Sequence, residues 1–330
     1  MAAQFDTVLR TQLATRKQRL ESTLAHTPGR EYLADLLREV DAALTRLDTG
    51  VFGLCEGCHS SLEADRVAAD PLVRFCTDCL TPLQQQALVE DLTLASRIQA
   101  GLLPRSDTVH NGWRAAYSYE PAGPVSGDYC DLVAGDEGSL YFMLGDVSGK
   151  GIPAAMLMAH LHAMFRALIG VGLPLVQMVE RASRLFCEST LATHYATLVC
   201  GKAGKDGEVE LCNAGHLPVV LVRGPEASSL EATGLPLGMF SSAEFTADRM
   251  RLNSRDRLVL FTDGISEAQD ERGAELGIQP IIDAARAQPW SSARETVRSI
   301  TAQAAQFRVG EAGRDDQTLM VIERFESQRQ

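Results

Sequence analysis

Residues 139–151 read SLYFMLGDVSGKG, an apolar run that closes on Gly145-Asp146 and then turns through a glycine-rich link towards a helical stretch. An apolar run of this length bounded by turn residues predicts a buried strand. A carboxylate beside a glycine at the end of such a strand is poorly explained by packing, and the turn after it exposes a backbone carbonyl as well as the side chain. Three further acidic patches share this character: Gly127-Asp128 in VSGDYCD (125–131), Asp263-Gly264 in FTDGISEA (261–268), and Asp315-Asp316 in RDDQT (314–318). Asp263 follows the run RLVLF, and Asp315-Asp316 precede QTLMVIE. Carboxylates brought together at strand ends make a site for hard divalent cations, which prefer oxygen ligands. Two such ions activate water and clamp a phosphoryl group.

Working outward, the texture after residue 110 is β-rich. WRAAYSYE, SLYFMLGDV, YATLVCGK, EVELCNAG, PVVLVRG, DRLVLFTDG and TLMVIERF read as strands. Helices are expected over roughly 153–169 and 175–190, and within 276–306. Clustered strands with paired helices predict an α+β layered domain rather than a doubly wound sheet. Ahead of it, helices are expected over 3–26 and from 31 to 47, broken by the turn His26-Thr27-Pro28-Gly29 and folded back as a hairpin. A third helix follows Pro82 and ends at Pro104. The division expected is thus a helical hairpin (1–50), a cysteine module (51–81), a linker helix (82–105) and the layered domain (106–326). The N-terminal and linker helices offer surfaces for a homodimer.

The chain has 330 residues, 45% apolar and 22% charged, with a net charge of −12. That balance argues against a nucleic-acid or anionic-membrane surface. No stretch is expected to approach the roughly 20 apolar residues of a membrane span. With no apolar signal core at its start, the chain is expected to be cytoplasmic. Of eight cysteines, Cys55, Cys58, Cys76 and Cys79 form C-x₂-C-x₁₇-C-x₂-C. Two such knuckles present four thiolates to one Zn²⁺ in a closed, structural site. His59, beside Cys58, is surplus to that shell. The remaining four, Cys130, Cys187, Cys200 and Cys212, suit buried free thiols in a reducing compartment.

Two resemblances rest on these motifs. Residues 46–80, RLDTGVFGLCEGCHSSLEADRVAADPLVRFCTDCL, resemble the DksA/TraR-type zinc finger through Gly50, Phe52, Gly53, Cys55, Cys58, Arg66, Ala69, Pro71, Cys76 and Cys79. Members of that family act on RNA polymerase with acidic residues at a hairpin tip; here the tip, LAHTPGREYL, has one glutamate and no aspartate. The larger resemblance covers residues 90–326: SRIQAGLLP, VSGDYCD, GDVSGKGIPAAMLMA, YATLVCG, NAGHLP, LPLGMF, LVLFTDGISEA and DDQTLMVI, in that order. It is to the SpoIIE/RsbU-like branch of the PPM (type 2C) metal-dependent serine/threonine phosphatases.

That resemblance implies an α-β-β-α sandwich with two Mn²⁺ or Mg²⁺ ions at one edge. Asp146 would bridge both ions with the Val147 carbonyl assisting, Asp128 would serve the first ion, and Asp263 and Asp315 the second. Asp316 would be a neighbour rather than a ligand, Glu267 a contributor to a weaker third ion, and Asp131 a support behind the ligands. Ser148 stands where eukaryotic relatives carry a histidine, and His216 in NAGH is read as structural. The implied substrate is a phosphorylated STAS-domain anti-anti-sigma protein in a partner-switching pathway, with the zinc module as regulator. Competing readings are a DksA-like RNA polymerase-binding regulator with a non-catalytic phosphatase-derived domain, and a DNA-binding zinc ribbon; the acidity of the chain weighs against the latter.

Overall fold

The computed structural model describes residues 2–26, 31–63, 66–67, 70–190, 194–287, 292–308 and 315–325. The turn at 27–30, Ala69 and the chain after 325 lie outside the described residues. The chain forms two compact units, Met1–Asp91 and Leu92–Gln330.

In the first unit, α1 (Ala2–His26) and α2 (Glu31–Asp48) pack through Leu9 and Leu13 against Val40 and Ala43. Lys17 pairs with Asp41 at 2.7 Å and Arg10 with Asp48, so the helices run antiparallel. The cysteine module has a core of only Cys55, Leu62, Val67 and Cys76 among the described residues. Arg46 at the end of α2 lies over the Phe52 ring and donates to the Val73 carbonyl at 2.9 Å, which ties the module to the hairpin. Helix α3 (Pro82–Leu102) carries the chain from one unit into the other.

The second unit holds two sheets. One has the order β1 (Asp107–His110), β2 (Trp113–Glu120), β11 (Gln317–Arg324), β10 (Arg257–Phe261), β7 (Val219–Arg223), β8 (Glu226–Leu230). The other has the order β3 (Asp128–Ala134), β4 (Leu140–Val147), β5 (Ala196–Ala203), β6 (Glu208–Ala214), β9 (Asp248–Arg251). Every pairing between these strands is antiparallel.

Because successive side chains point to opposite faces, each apolar run feeds two cores. Leu258 and Leu260 of β10, Met320 and Ile322 of β11, and Phe142 and Leu144 of β4 meet between the sheets. Their neighbours point outward: Val259, Phe261, Leu319 and Val321 to one helical layer, Tyr141 and Met143 to the other. Strands buried on both faces read as continuous apolar runs, which is why β4, β10 and β11 stand out in the sequence. Helices α4 (Gly151–Val171) and α5 (Leu175–Ser189) cover the five-stranded sheet. Helices α7 (Ile278–Ala287) and α8 (Ala293–Phe307) cover the six-stranded one. The short α6 (Asp263–Ser266) follows β10. The result is a mixed α/β fold in four layers.

The expectation that no stretch approaches a membrane span needs correction. Helix α4, with 21 residues and a mean hydropathy of 1.5, is long and apolar enough by composition to cross a membrane. Here its Met158, Leu161, Phe165 and Leu168 pack on the sheet through Tyr129, Met143 and Leu198. Its apolarity serves a core contact.

Candidate metal centre

Sheet register places the acidic residues together. Asp128 opens β3 and sits directly opposite Asp146 near the end of β4. Asp263 follows the end of β10 by two residues, and Asp315 precedes the start of β11 by two, on a strand pair in which Phe261 faces Leu319. All four sequence-selected aspartates therefore lie at the same end of the two sheets. Gly264 permits this closeness: a Cβ there would lie 2.1 Å from the Asp316 carbonyl oxygen.

The charges perturb one another. Burial, then Asp263 and Asp315, push the Asp146 carboxyl up to about 7. Asp263 is raised by burial and then by Asp315. Asp128 is raised well above the carboxylate range by burial and then by Asp146. Glu267, exposed one turn after Asp263, is raised by burial and then by Asp263. Acids that share a site without enough cation cannot all ionise, and bound divalent ions remove that penalty. Lys150, at the start of α4, pairs with Asp315 at 2.7 Å and supplies one positive charge. Hard carboxylate oxygens with the Val147 carbonyl beside them are the donor set that Mg²⁺ and Mn²⁺ take. The residues present fit two such ions.

Individual side chains divide the work. Asp128 Oδ2 accepts from the Thr262 hydroxyl at 3.0 Å and from the Thr318 hydroxyl, so one oxygen is anchored to the other sheet. Asp316 accepts the backbone N–H groups of Ala122 at 2.7 Å and Gly127 at 2.9 Å. It thereby clasps the loop that leads into Asp128. Ser148 is held by Tyr195 through a pair of contacts, its N–H donating at 2.9 Å and its hydroxyl oxygen accepting at 3.0 Å. His216 is buried, and burial lowers its pKa to about 4.

Asp131 departs from its expected role. It lies three residues into β3 on the helical side, where Arg166 of α4 holds both its oxygens, at 2.6 and 2.7 Å. Three residues apart on one strand, Asp128 and Asp131 point to opposite faces of the sheet, so Asp131 does not stand behind Asp128. Sequence reasoning also passed over Gln99 of α3. Its amide donates to the Ser126 carbonyl at 2.7 Å and accepts the Ser126 N–H at 3.0 Å. The Ser126 hydroxyl in turn accepts the Asp128 N–H at 3.0 Å. The available signal was a polar residue buried in an otherwise apolar helix end, Ile98 to Leu103.

In the first unit, the sulfurs of Cys55, Cys58, Cys76 and Cys79 all lie within 4.8 Å of one another, a grouping compatible with one zinc. The N–H groups of Cys76 and Gly57 point at Cys55 Sγ at 3.3 Å and hold its thiol down to about 6, the first of them most strongly. His59 is exposed in a left-handed turn, away from that role.

Known proteins share the fold of the second unit. RsbU of Bacillus subtilis, a phosphoserine phosphatase, is 28% identical over 249 residues, covering 73% of this chain and 72% of its own. Protein IcfG of Synechocystis is 27% identical over 223 residues; the match takes in 58% of this chain but only 35% of that protein. The crystal structure of the RsbU and RsbW domains of Rv1364c from Mycobacterium tuberculosis superposes with a TM-score of 0.58 at 29% identity, covering 67% of this chain and 64% of that one. The family described as Stage II sporulation protein E (SpoIIE) matches residues 136–325, a span that includes Asp146, Asp263 and Asp315 and begins just after Asp128. The chain belongs to the SpoIIE family.

Proposed function

We propose that this chain is a metal-dependent protein serine/threonine phosphatase whose centre is formed by Asp128, Asp146, the Val147 carbonyl, Asp263 and Asp315. The observation that carries the reading is the meeting of these acids at one sheet end, with Asp146 pushed up to about 7 by burial and its acidic neighbours. When bound, two Mn²⁺ or Mg²⁺ ions supply a water acidic enough to attack phosphorus in line and neutralise charge on the phosphoryl oxygens. Asp146 at the end of β4, with Asp128, Asp263, Asp315 and the Val147 carbonyl, would hold these ions. Asp316 and the Thr262–Thr318 pair hold ligands and loops in register. Ser148 is occupied by Tyr195 and His216 is neutral inside the protein, so neither is assigned protonation of the leaving alkoxide.

The substrate class we assign is a phosphoserine or phosphothreonine on a STAS-domain anti-anti-sigma protein. What supports it is the likeness to RsbU and to the Rv1364c domains. The zinc-bearing hairpin unit, of DksA/TraR type, is the regulator, with residues 82–105 as the connecting helix, and its helices pair two chains. Four free thiols and a thiolate site suit the cytoplasm. The convergence of all four aspartates favours the enzyme over a polymerase-binding protein with an inert domain.

The test is phosphate release from a phosphoserine STAS protein with Mn²⁺, beside Asp263→Asn. Release that needs the metal and is lost in the variant is expected. Equal release by both proteins would sink the reading.

A further inference from the structure

The end of β6 and the turn that follows it, Asn213-Ala214-Gly215-His216, are built to place one imidazole. Asn213 is fully buried; its Oδ1 accepts the His216 N–H at 2.8 Å and its amide donates to the Leu217 carbonyl at 3.1 Å. Gly215 has φ +68°, and a Cβ there would lie 2.5 Å from the Pro236 ring, so the turn tolerates no side chain.

The ring that this turn presents touches both sheets. Its Nε2 lies 3.0 Å from the Phe261 carbonyl at the end of β10. A carbonyl only accepts, so Nε2 carries the proton and Nδ1 is an acceptor. Nδ1 then receives the Thr197 hydroxyl of β5 at 2.8 Å. Thr197 sits directly opposite Asp146 in the β4–β5 register. Phe261 stands two residues before Asp263. The imidazole thus spans from the strand beside one proposed ligand to the strand that delivers another. Burial keeps it neutral, which preserves the donor at one nitrogen and the acceptor at the other.

We propose that His216 is a cross-sheet strut that sets the spacing between the strand ends carrying Asp146 and Asp263, a positioning residue of the metal centre. The proposal rests on the metal-centre reading above and extends it. A rigid ring with one donor and one acceptor fixes a distance that two independent backbone ends would otherwise leave loose, and a shift of about 1 Å at a catalytic geometry is costly.

The test is Mn²⁺ affinity of the full chain by titration calorimetry, with thermal melting alongside. His216→Leu is expected to weaken Mn²⁺ binding at least tenfold. His216→Gln, which keeps an amide donor for Phe261, is expected to recover part of that loss. Val209→Ala, in the inter-sheet core at the far end of β6, is the control for stability alone: its melting temperature falls while Mn²⁺ affinity stays. If His216→Leu does not fold, Thr197→Val removes the hydroxyl on Nδ1 at constant shape, with a several-fold weaker affinity expected. Parent-like affinity in a folded His216→Leu or in Thr197→Val, or an equal loss in Val209→Ala, would overturn the strut. Absence of Mn²⁺ binding by the parent chain would instead bring down the metal-centre reading, and the strut with it.

Discussion

At the scale of single residues, Asp146 sets how the centre answers to pH. Its pKa in the folded, metal-free protein is pushed up to about 7, above the ordinary value of 3.8. A carboxyl with a raised folded pKa favours folding while protonated, and that contribution is lost as pH climbs from about 4 through 7. Metal binding needs the deprotonated form, so ions and protons compete for the same oxygens. Mn²⁺ affinity is therefore expected to rise between pH 6 and 8, along with the increase in melting temperature that Mn²⁺ produces. Affinity flat across that range would show that no proton on Asp146 competes with the ions there. Asp128, Asp146 and Asp263 were legible in the sequence because a glycine neighbour at a strand end makes each a poor packing residue, and Asp315 because it precedes an apolar run. Asp131 was misread because the motif VSGDYCD hides the strand's alternation. The function of Asp316 as a clasp depends on backbone N–H groups almost two hundred residues away in the chain, which no local pattern encodes.

At the scale of elements, the strands buried on both faces and the two long helices over the five-stranded sheet were readable as apolar runs and helical spacing. Four strands were not. β3 begins and continues with acids (DYCDLVA), so its charges masked its register. β8 (EASSL) and β9 (DRMR) are edge strands whose exposed faces carry polar residues, and β1 (DTVH) is an edge of only four residues. Edges avoid apolar alternation because it invites unwanted pairing. The end of α3 was legible as a helix but its contact was not. Gln99 forms a paired amide–backbone contact with Ser126, one step from Asp128. Gln99→Leu leaves a buried N–H and carbonyl of Ser126 without that partner. A loss of about 1–3 kcal/mol in denaturant unfolding is expected, together with weaker Mn²⁺ binding because the Asp128 loop loosens. Unfolding and metal affinity both equal to the parent would show that this contact supports nothing.

At the scale of the whole molecule, two units carry different chemistry. Around the cysteines of the first the buried core is small, and a metal held by four thiolates would add to its folding stability. One zinc per chain is expected by native mass spectrometry. Cys76→Ser is expected to lose it and to open residues 51–81 to hydrogen exchange. Full zinc content with unchanged protection in that variant would rule out the four-thiolate site. The second unit carries the SpoIIE family match and the acidic end of two sheets. Among the described residues only the four cysteines gather their ligand atoms within 4.8 Å. Asp128, Asp146, Asp263 and Asp315 are not in that group and stand instead at neighbouring strand ends.

Anomalous diffraction from crystals of the full chain grown with Mn²⁺ tests most directly whether the acidic strand ends form a two-metal centre. The account predicts two manganese peaks about 3.5–4 Å apart, bridged by Asp146, with Asp128 on one side and Asp263 and Asp315 on the other. Manganese absent from that sheet end, or bound there without Asp146, would contradict it.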